Sequence, residues 1–182
     1  LDVDLETDPG EKGKRTPYAS NILVIDLDKD GKLDLVFSDG IGELYIGIAS
    51  APWTWKVEKV FKVKAPAVYA LAVTYVDRDG IAEIFCAGYA VHYLVRQSDG
   101  SWNDEAAQRG IVLKGTQSIR GVVPIDLDQD GQLDLAAGAM SCDGSSRVHA
   151  WVNQGNGTYK ELAMDLGLSH EASMWGLMAT DI

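Results

Sequence analysis

An acidic loop that occurs twice, almost letter for letter, constrains this chain more than any other feature of its sequence. Residues 25–34 run Ile-Asp-Leu-Asp-Lys-Asp-Gly-Lys-Leu-Asp, and residues 125–134 run Ile-Asp-Leu-Asp-Gln-Asp-Gly-Gln-Leu-Asp. Counting from the first aspartate, carboxylates fall at positions 1, 3, 5 and 9: Asp26, Asp28, Asp30 and Asp34, then Asp126, Asp128, Asp130 and Asp134. Carboxylates this close repel one another unless a cation lies among them. A hard divalent ion with oxygen ligands, calcium above all, fits the pattern. Gly31 and Gly131 permit the sharp turn around such an ion, because a residue without Cβ tolerates positive φ. The carbonyls of Lys32 and Gln132, at position 7, are candidate backbone ligands.

Two plainer readings compete. An ion-free acidic turn needs only one or two such residues, and the near-identical second copy argues against it. An EF-hand loop runs on to a glutamate at its twelfth position and is flanked by helices. Here that position holds Phe37 or Ala137, and the flanks 21–25 and 33–37 are short β-branched apolar runs that predict strands.

The loops belong to a longer repeat of about fifty residues, the range in which stacked or radial repeat architectures occur. Position 1 falls at Asp26, Tyr75, Asp126 and Asp181. The second copy has lost its first carboxylate but keeps Asp77, Asp79, Gly80 and Glu83, which predicts a weaker ion site or a loop kept for its shape. The fourth breaks off at Asp181 and Ile182. Four strand-like runs are expected in each repeat: 22–25, 33–37, 43–48 and 55–63 in the first, and 70–75, 82–87, 91–96 and a poor one around 110–113 in the second. The third gives 122–125, 133–138, 148–153 and 159–164. Gly- and Asn/Asp-bearing turns separate them. Four strands per unit suit a β-propeller blade, whose two apolar faces are buried only by neighbouring blades.

The expected fold is therefore all-β, about three blades of four antiparallel strands plus the start of a fourth. The divisions are 1–19 (a loop or the tail of a preceding blade), 20–69, 70–119, 120–174, and 175–182 (a further start). The degenerate loop lies in the second blade.

Composition narrows the function. The net charge is −11, but nearly half of the 27 acidic residues sit in these loops, where ions would neutralise them. No basic run is present to bind nucleic acid, and no long apolar stretch predicts a membrane span. The chain opens on Leu1 with no signal peptide in view, and is read as a mature protein or a fragment. Cys86 and Cys142 form either two buried thiols or one disulfide between neighbouring repeats. Asn156-Gly157-Thr158 is a glycosylation sequon if the chain is secreted, and equally a tight turn.

The Asp-x-Asp-x-Asp-Gly-x-x-Asp loop, followed by a Leu-Ala-Ala-Gly strand at 135–138, resembles the FG-GAP or VCBS repeat of integrin alpha subunits and many secreted proteins. The ending Trp151-Val-Asn-Gln-Gly-Asn-Gly-Thr-Tyr-Lys160, with Leu166-Gly-Leu-Ser169, is similar to repeats of the cartilage-acidic-protein and UnbV-like group. The resemblance covers about residues 20 to 182. It implies a seven- or eight-bladed ring, with calcium in the loop joining the first two strands of a blade. Three blades do not close such a ring, so the remaining blades of the same protein, or other subunits, are the expected partners.

Catalytic constellations are absent from the sequence. His92, His149 and His170 have no zinc-binding spacing. There is no nucleophile elbow and no phosphate loop, and aspartates held by an ion make poor general acids for glycoside hydrolysis. His92 and His149 read as ordinary packing or surface residues. Trp53, Trp55, Trp102, Trp151 and Trp175 either stack on sugars or fill space between blades. The residue six before position 1 enters the innermost strand from the face opposite the loops, where related propellers bind ligands. Tyr69, Arg120 and Trp175 hold that place and form the expected recognition set, with residues 38–42 and 141–146 sharing the rim. The expected function is a secreted or cell-surface, calcium-stiffened recognition or adhesion module for a protein or glycan, not itself an enzyme. The alternatives are the scaffold of a carbohydrate-active lyase or hydrolase whose catalytic residues lie elsewhere, or a structural subunit of a surface assembly.

Overall fold

A computed structural model describes residues 19–39, 42–63, 67–75, 82–113, 117–141, 147–168 and 177. Twelve strands run in three antiparallel sheets, and no helix occurs among these residues. The first sheet is β1 (Ala19–Ile25), β2 (Asp34–Asp39), β3 (Glu43–Ala51) and β4 (Thr54–Lys62). The second is β5 (Val68–Thr74), β6 (Glu83–Gly88), β7 (Val91–Arg96) and β8 (Trp102–Asp104). The third is β9 (Ser118–Ile125), β10 (Asp134–Met140), β11 (Val148–Asn153) and β12 (Tyr159–Glu161). Each sheet is a meander in chain order, as expected of propeller blades.

The apolar alternation of the strands decides how the sheets stack, since successive side chains point to opposite faces. In the second sheet Ile84, Cys86 and Leu94 face the first, where they meet Val36, Leu44 and Ile46. Their neighbours Phe85 and Tyr93 face the third, where they meet Leu135, Trp151 and Tyr159. The middle sheet is thus buried on both sides, and every residue of β6 is buried. Innermost strand β5 lies beside β1 on one side and β9 on the other. Trp151 is fully buried, stacked on His149 with ring centroids 5.2 Å apart and tilted against Phe85 at 5.9 Å. This tryptophan fills space between blades, and both His92 and His149 are buried packing residues.

One strand lies elsewhere than the sequence suggests. The fourth strand of the second sheet is Trp102–Asp104, not 110–113. Three residues are too few to show a period of two, so no alternation marks the run. Immediately after it the chain makes a single helical turn, in which Arg109 N–H donates to the Glu105 carbonyl. Gly110, at φ +81°, ends it so that Ile111 can return its N–H to the Ala106 carbonyl and bury its side chain. The third sheet repeats the device: Leu166 bonds back to Leu162 and Leu168 to Ala163, with Gly167 at φ +71°. Other strand ends agree with the sequence reading to within a few residues.

Cys86 is a free thiol, fully buried, and burial pushes its pKa up. Cys142 lies outside the described residues, as do Asp77, Asp79, Asp181, Trp175 and His170.

Candidate metal centre

Each full acidic loop joins the first strand of a sheet to the second. Position 9 is the first residue of that second strand, with Asp34 opposite Ile25 and Asp134 opposite Ile125. Inside the loop the carboxylates are held by backbone N–H groups, in the same pattern in both copies. Asp26 accepts from Asp30 N and Gly31 N at 3.0 and 2.9 Å, and Asp126 from Asp130 N and Gly131 N at 3.1 and 2.9 Å. Asp28 and Asp128 accept from the same N–H of Asp30 and Asp130. Asp30 and Asp130 accept from Lys32 N and Gln132 N, each at 2.8 Å.

This winding needs positive φ at two places per loop. Gly31 and Gly131, at +86° and +84°, are legible from sequence, whereas Lys29 and Gln129, at +60° and +64°, are not. Side-chain-bearing residues adopt that region rarely, and no pattern of letters marks them.

The result is a cluster of oxygens. One carboxylate oxygen each from Asp26, Asp28 and Asp34 lies within 4.8 Å of the others, and the same holds for Asp126, Asp128 and Asp130. Calcium–oxygen bonds of about 2.3–2.6 Å place opposed ligands up to roughly 5 Å apart, so these clusters have the size and the hard, all-oxygen chemistry for that ion. Every carboxylate oxygen has spare lone pairs beyond the backbone bond it accepts. The residues fit a calcium ion.

Position 9 does more than the sequence indicates. Asp34 and Asp134 are fully buried. One oxygen accepts the N–H of Leu27 or Leu127 at 2.8 Å, and the other the N–H of Ala49 or Asn153 at 2.8 Å. Each thus ties the start of its loop to the third strand of its sheet. Burial raises the Asp134 pKa, the two N–H bonds lower it, and Asp128 and Asp130 add to the rise. In the second sheet Glu83 occupies this place and is likewise buried, with the Thr74 hydroxyl donating to it at 3.4 Å.

The two loops differ in charge. Lys32 pairs with Asp30 and holds that carboxyl below its usual range, whereas the neutral Gln132 amide donates to Asp130 at 2.8 Å. Tyr75, the residue standing where the second repeat lost its carboxylate, reaches into the first loop. Its hydroxyl donates to the Asp26 carbonyl at 2.6 Å, and the Lys29 ammonium lies 4.3 Å from its ring centre. The substitution is visible in the sequence, but nothing there shows that the side chain braces a neighbour's loop.

At the opposite end of the sheets two members of the expected recognition set meet. The Arg120 guanidinium lies 3.8 Å over the ring of Tyr69, and Tyr89, from the turn between β6 and β7, stands edge-on to Tyr69 at 5.8 Å. Tyr89 is half-exposed. A separate cleft of about 420 Å³ is lined by Gly110, Val112, Arg147, His149 and Glu161. Its histidine is held by Gln117 at 2.8 Å and lies 3.7 Å from Glu161. Asn156 is exposed in the hairpin between β11 and β12, where its side-chain oxygen accepts from Thr158 N and Oγ1. Asp99 and Ser101 make the same turn in the second sheet, so local geometry accounts for an Asx residue there.

Three stacked four-stranded sheets, with acidic loops wound alike between the first two strands of the first and third of them, define an all-β array of propeller-like blades. Consistent with this, a family profile described as an FG-GAP-like repeat matches residues 76–137, from the degenerate loop into the strand after the second full one. The chain carries an FG-GAP-like repeat, as the loops and strands suggested; the match is to the repeat and not to a subgroup. A comparison with curated proteins gave no match. No helix among the described residues is long and apolar enough to cross a membrane.

Proposed function

We propose that this chain is a calcium-binding β-propeller module of an extracellular protein, in which calcium stiffens the blades and the end opposite the ion loops recognises a protein or glycan. The observation that carries the reading is that the two acidic loops are wound alike, with the same backbone donors on the same carboxylates. A solvated turn has no need of three carboxylates gathered within 4.8 Å of one another. The loops sit between strands rather than on mobile helix pairs, so the ion is structural rather than a signal. The Arg120–Tyr69–Tyr89 cluster, a guanidinium stacked over one aromatic ring with a second ring edge-on to it, supports recognition at the far end. Further blades, from the same protein or another subunit, complete the ring in this reading.

Titration calorimetry on EGTA-treated chain, with thermal melts beside it, tests the ion. Two calcium-binding events are expected, with a melting temperature that climbs with calcium concentration, because a ligand bound only by the folded state stabilises it. No heat of binding, with superimposable melts in calcium and EGTA, would overturn the reading.

A further inference from the structure

The cleft between the second and third sheets is lined by polar groups that the fold leaves unmatched. Its volume of about 420 Å³ is that of a small-molecule site. Gly110 and Val112 form one wall, from the segment that follows β8. Arg147, His149 and Glu161 form the other, from the start of β11 and the end of β12. The walls are fastened together: Tyr159 N–H donates to the Arg109 carbonyl at 2.7 Å, and Arg109 Nη1 to the Gly157 carbonyl at 3.1 Å. Gly110 allows this approach, since a Cβ there would stand 2.4 Å from the Tyr159 carbonyl oxygen. Both walls thus belong to sheets already packed on each other, rather than to a face awaiting a further blade.

His149 is only 6% exposed. Its Nε2 lies 2.8 Å from Gln117 Oε1, an atom that only accepts, so Nε2 carries the proton. Burial, aided by the Arg147 charge and opposed by Glu161, holds the ring below its ordinary value of 6.5. A neutral ring protonated at Nε2 leaves Nδ1 as a bare lone pair. That Nδ1 is buried and has no hydrogen-bond partner. It faces Glu161 Oε1, another acceptor, at 3.7 Å, whereas the equivalent His92 and Asp104 of the second sheet close to 2.7 Å. A buried acceptor with no donor costs free energy. Arg147 is exposed and, among the described residues, forms no ion pair, although Glu161 lines the same cleft.

These charges select the ligand. A bare cation between Nδ1 and Glu161 would meet the Arg147 charge, and a simple anion on Arg147 would meet Glu161. A molecule carrying both signs meets neither objection. We infer that the cleft binds a free α-amino acid with an apolar side chain. Its ammonium donates to His149 Nδ1 and Glu161, its carboxylate lies on Arg147, and its side chain rests on Val112, which is 45% exposed. This site depends neither on the ion loops nor on the Arg120–Tyr69–Tyr89 cluster.

The test uses the whole chain in calcium, with L-alanine, L-valine, L-leucine and L-phenylalanine as probes, followed by calorimetry and ligand-observed NMR. At least one amino acid is expected to saturate. Its counterparts lacking one charge, for leucine 4-methylpentanoate and 3-methylbutylamine, should bind about tenfold or more weakly, the scale of one charge-assisted hydrogen bond. Arg147→Gln, at an exposed position, should weaken the amino acid by about the same factor with an unchanged melting temperature. Glu161→Gln keeps an acceptor for the Ala150 N–H, now bonded at 3.3 Å, but removes the charge that repels an anion. It should therefore bind 4-methylpentanoate more tightly than wild type does. The inference is overturned if none of the four amino acids saturates below about 10 mM, or if Arg147→Gln binds like wild type. It is equally overturned if the acid or the amine counterpart binds as tightly as the amino acid, which would make the cleft a site for a simple anion or cation.

Discussion

Replacing Asp134 with alanine should destabilise this chain even when no calcium is present. The carboxylate is fully buried and accepts two backbone N–H groups, from Leu127 and Asn153, each at 2.8 Å. Alanine would leave both donors without a partner in a site closed to water. A stranded buried donor costs about 1–3 kcal/mol, so two cost about 2–6 kcal/mol. Part of this is offset because removing a buried charge recovers its desolvation, the same effect that raises the Asp134 pKa. A net loss of about 2–4 kcal/mol is expected, or roughly 5–15 °C in melting temperature for a chain of this size. Asp128→Ala is the control. That residue is exposed, its one backbone bond is shared with Asp126, and its loss in EGTA should stay within about 0.5 kcal/mol. In calcium Asp128→Ala becomes clearly destabilising too, because it forfeits ion-linked stabilisation, worth about 2.7 kcal/mol per site at a hundredfold excess over Kd. The assay is a set of thermal or urea melts of wild type and both variants, each in EGTA and in calcium. If Asp134→Ala melts with wild type in EGTA, position 9 is only an ion ligand and the clamp argument is wrong.

Three other outcomes can be checked on the same protein. Lys32→Gln makes the first loop resemble the second and removes the cation paired with Asp30; calorimetry should show the first site binding calcium more tightly, most clearly at low salt. Tyr75→Phe deletes the 2.6 Å bond to the Asp26 carbonyl. It should cost about 1 kcal/mol and weaken calcium binding at the first loop while leaving the second unchanged. His149 is held below its ordinary value of 6.5, mainly by burial and also by Arg147, against the opposing pull of Glu161. Its unfolded state therefore binds the proton more readily, so the stability that neutral His149 contributes is fully present above about pH 6.5 and is lost as pH falls through the lower folded value. Denaturant melts of His149→Gln should show a shallower decline below about pH 6.5 than wild type.

The legible parts of this fold share one property: their cause lies within a few residues of their effect. The Asp-x-Asp-x-Asp-Gly spacing names the loop, because each carboxylate bonds a backbone N–H two to five residues on. The apolar runs on either side name the strands, and their recurrence names the sheets. Where the signal is short, it fails. Trp102–Asp104 has three residues, and the segment after it mimics a strand because Ile111 and Leu113 are apolar and flank a β-branched valine. Of the expected recognition set, Tyr69 and Arg120 do meet at 3.8 Å, since equal places on adjacent inner strands fall side by side once the sheets stack.

Sequence by itself determined that this protein is all-β, built of four-stranded units, with oxygen-lined loops wound around glycine turns. It did so because hydrophobic period, turn chemistry and carboxylate spacing act through the neighbouring backbone. Only the tertiary structure decided which groups serve two elements at once. Tyr75 looks like a lost ligand until the second sheet packs against the first and its hydroxyl reaches Asp26. Asp134 looks like a ninth-position ligand until β11 lies alongside and Asn153 presents its N–H. Trp151 and Trp53 are the same letter, yet one is fully buried between sheets and the other stands 84% exposed at a hairpin tip. Burial and long-range hydrogen bonds depend on what strand pairing and sheet stacking bring from 19 residues away, as at Asp134, or 49, as at Tyr75, and no local pattern of letters encodes that neighbour.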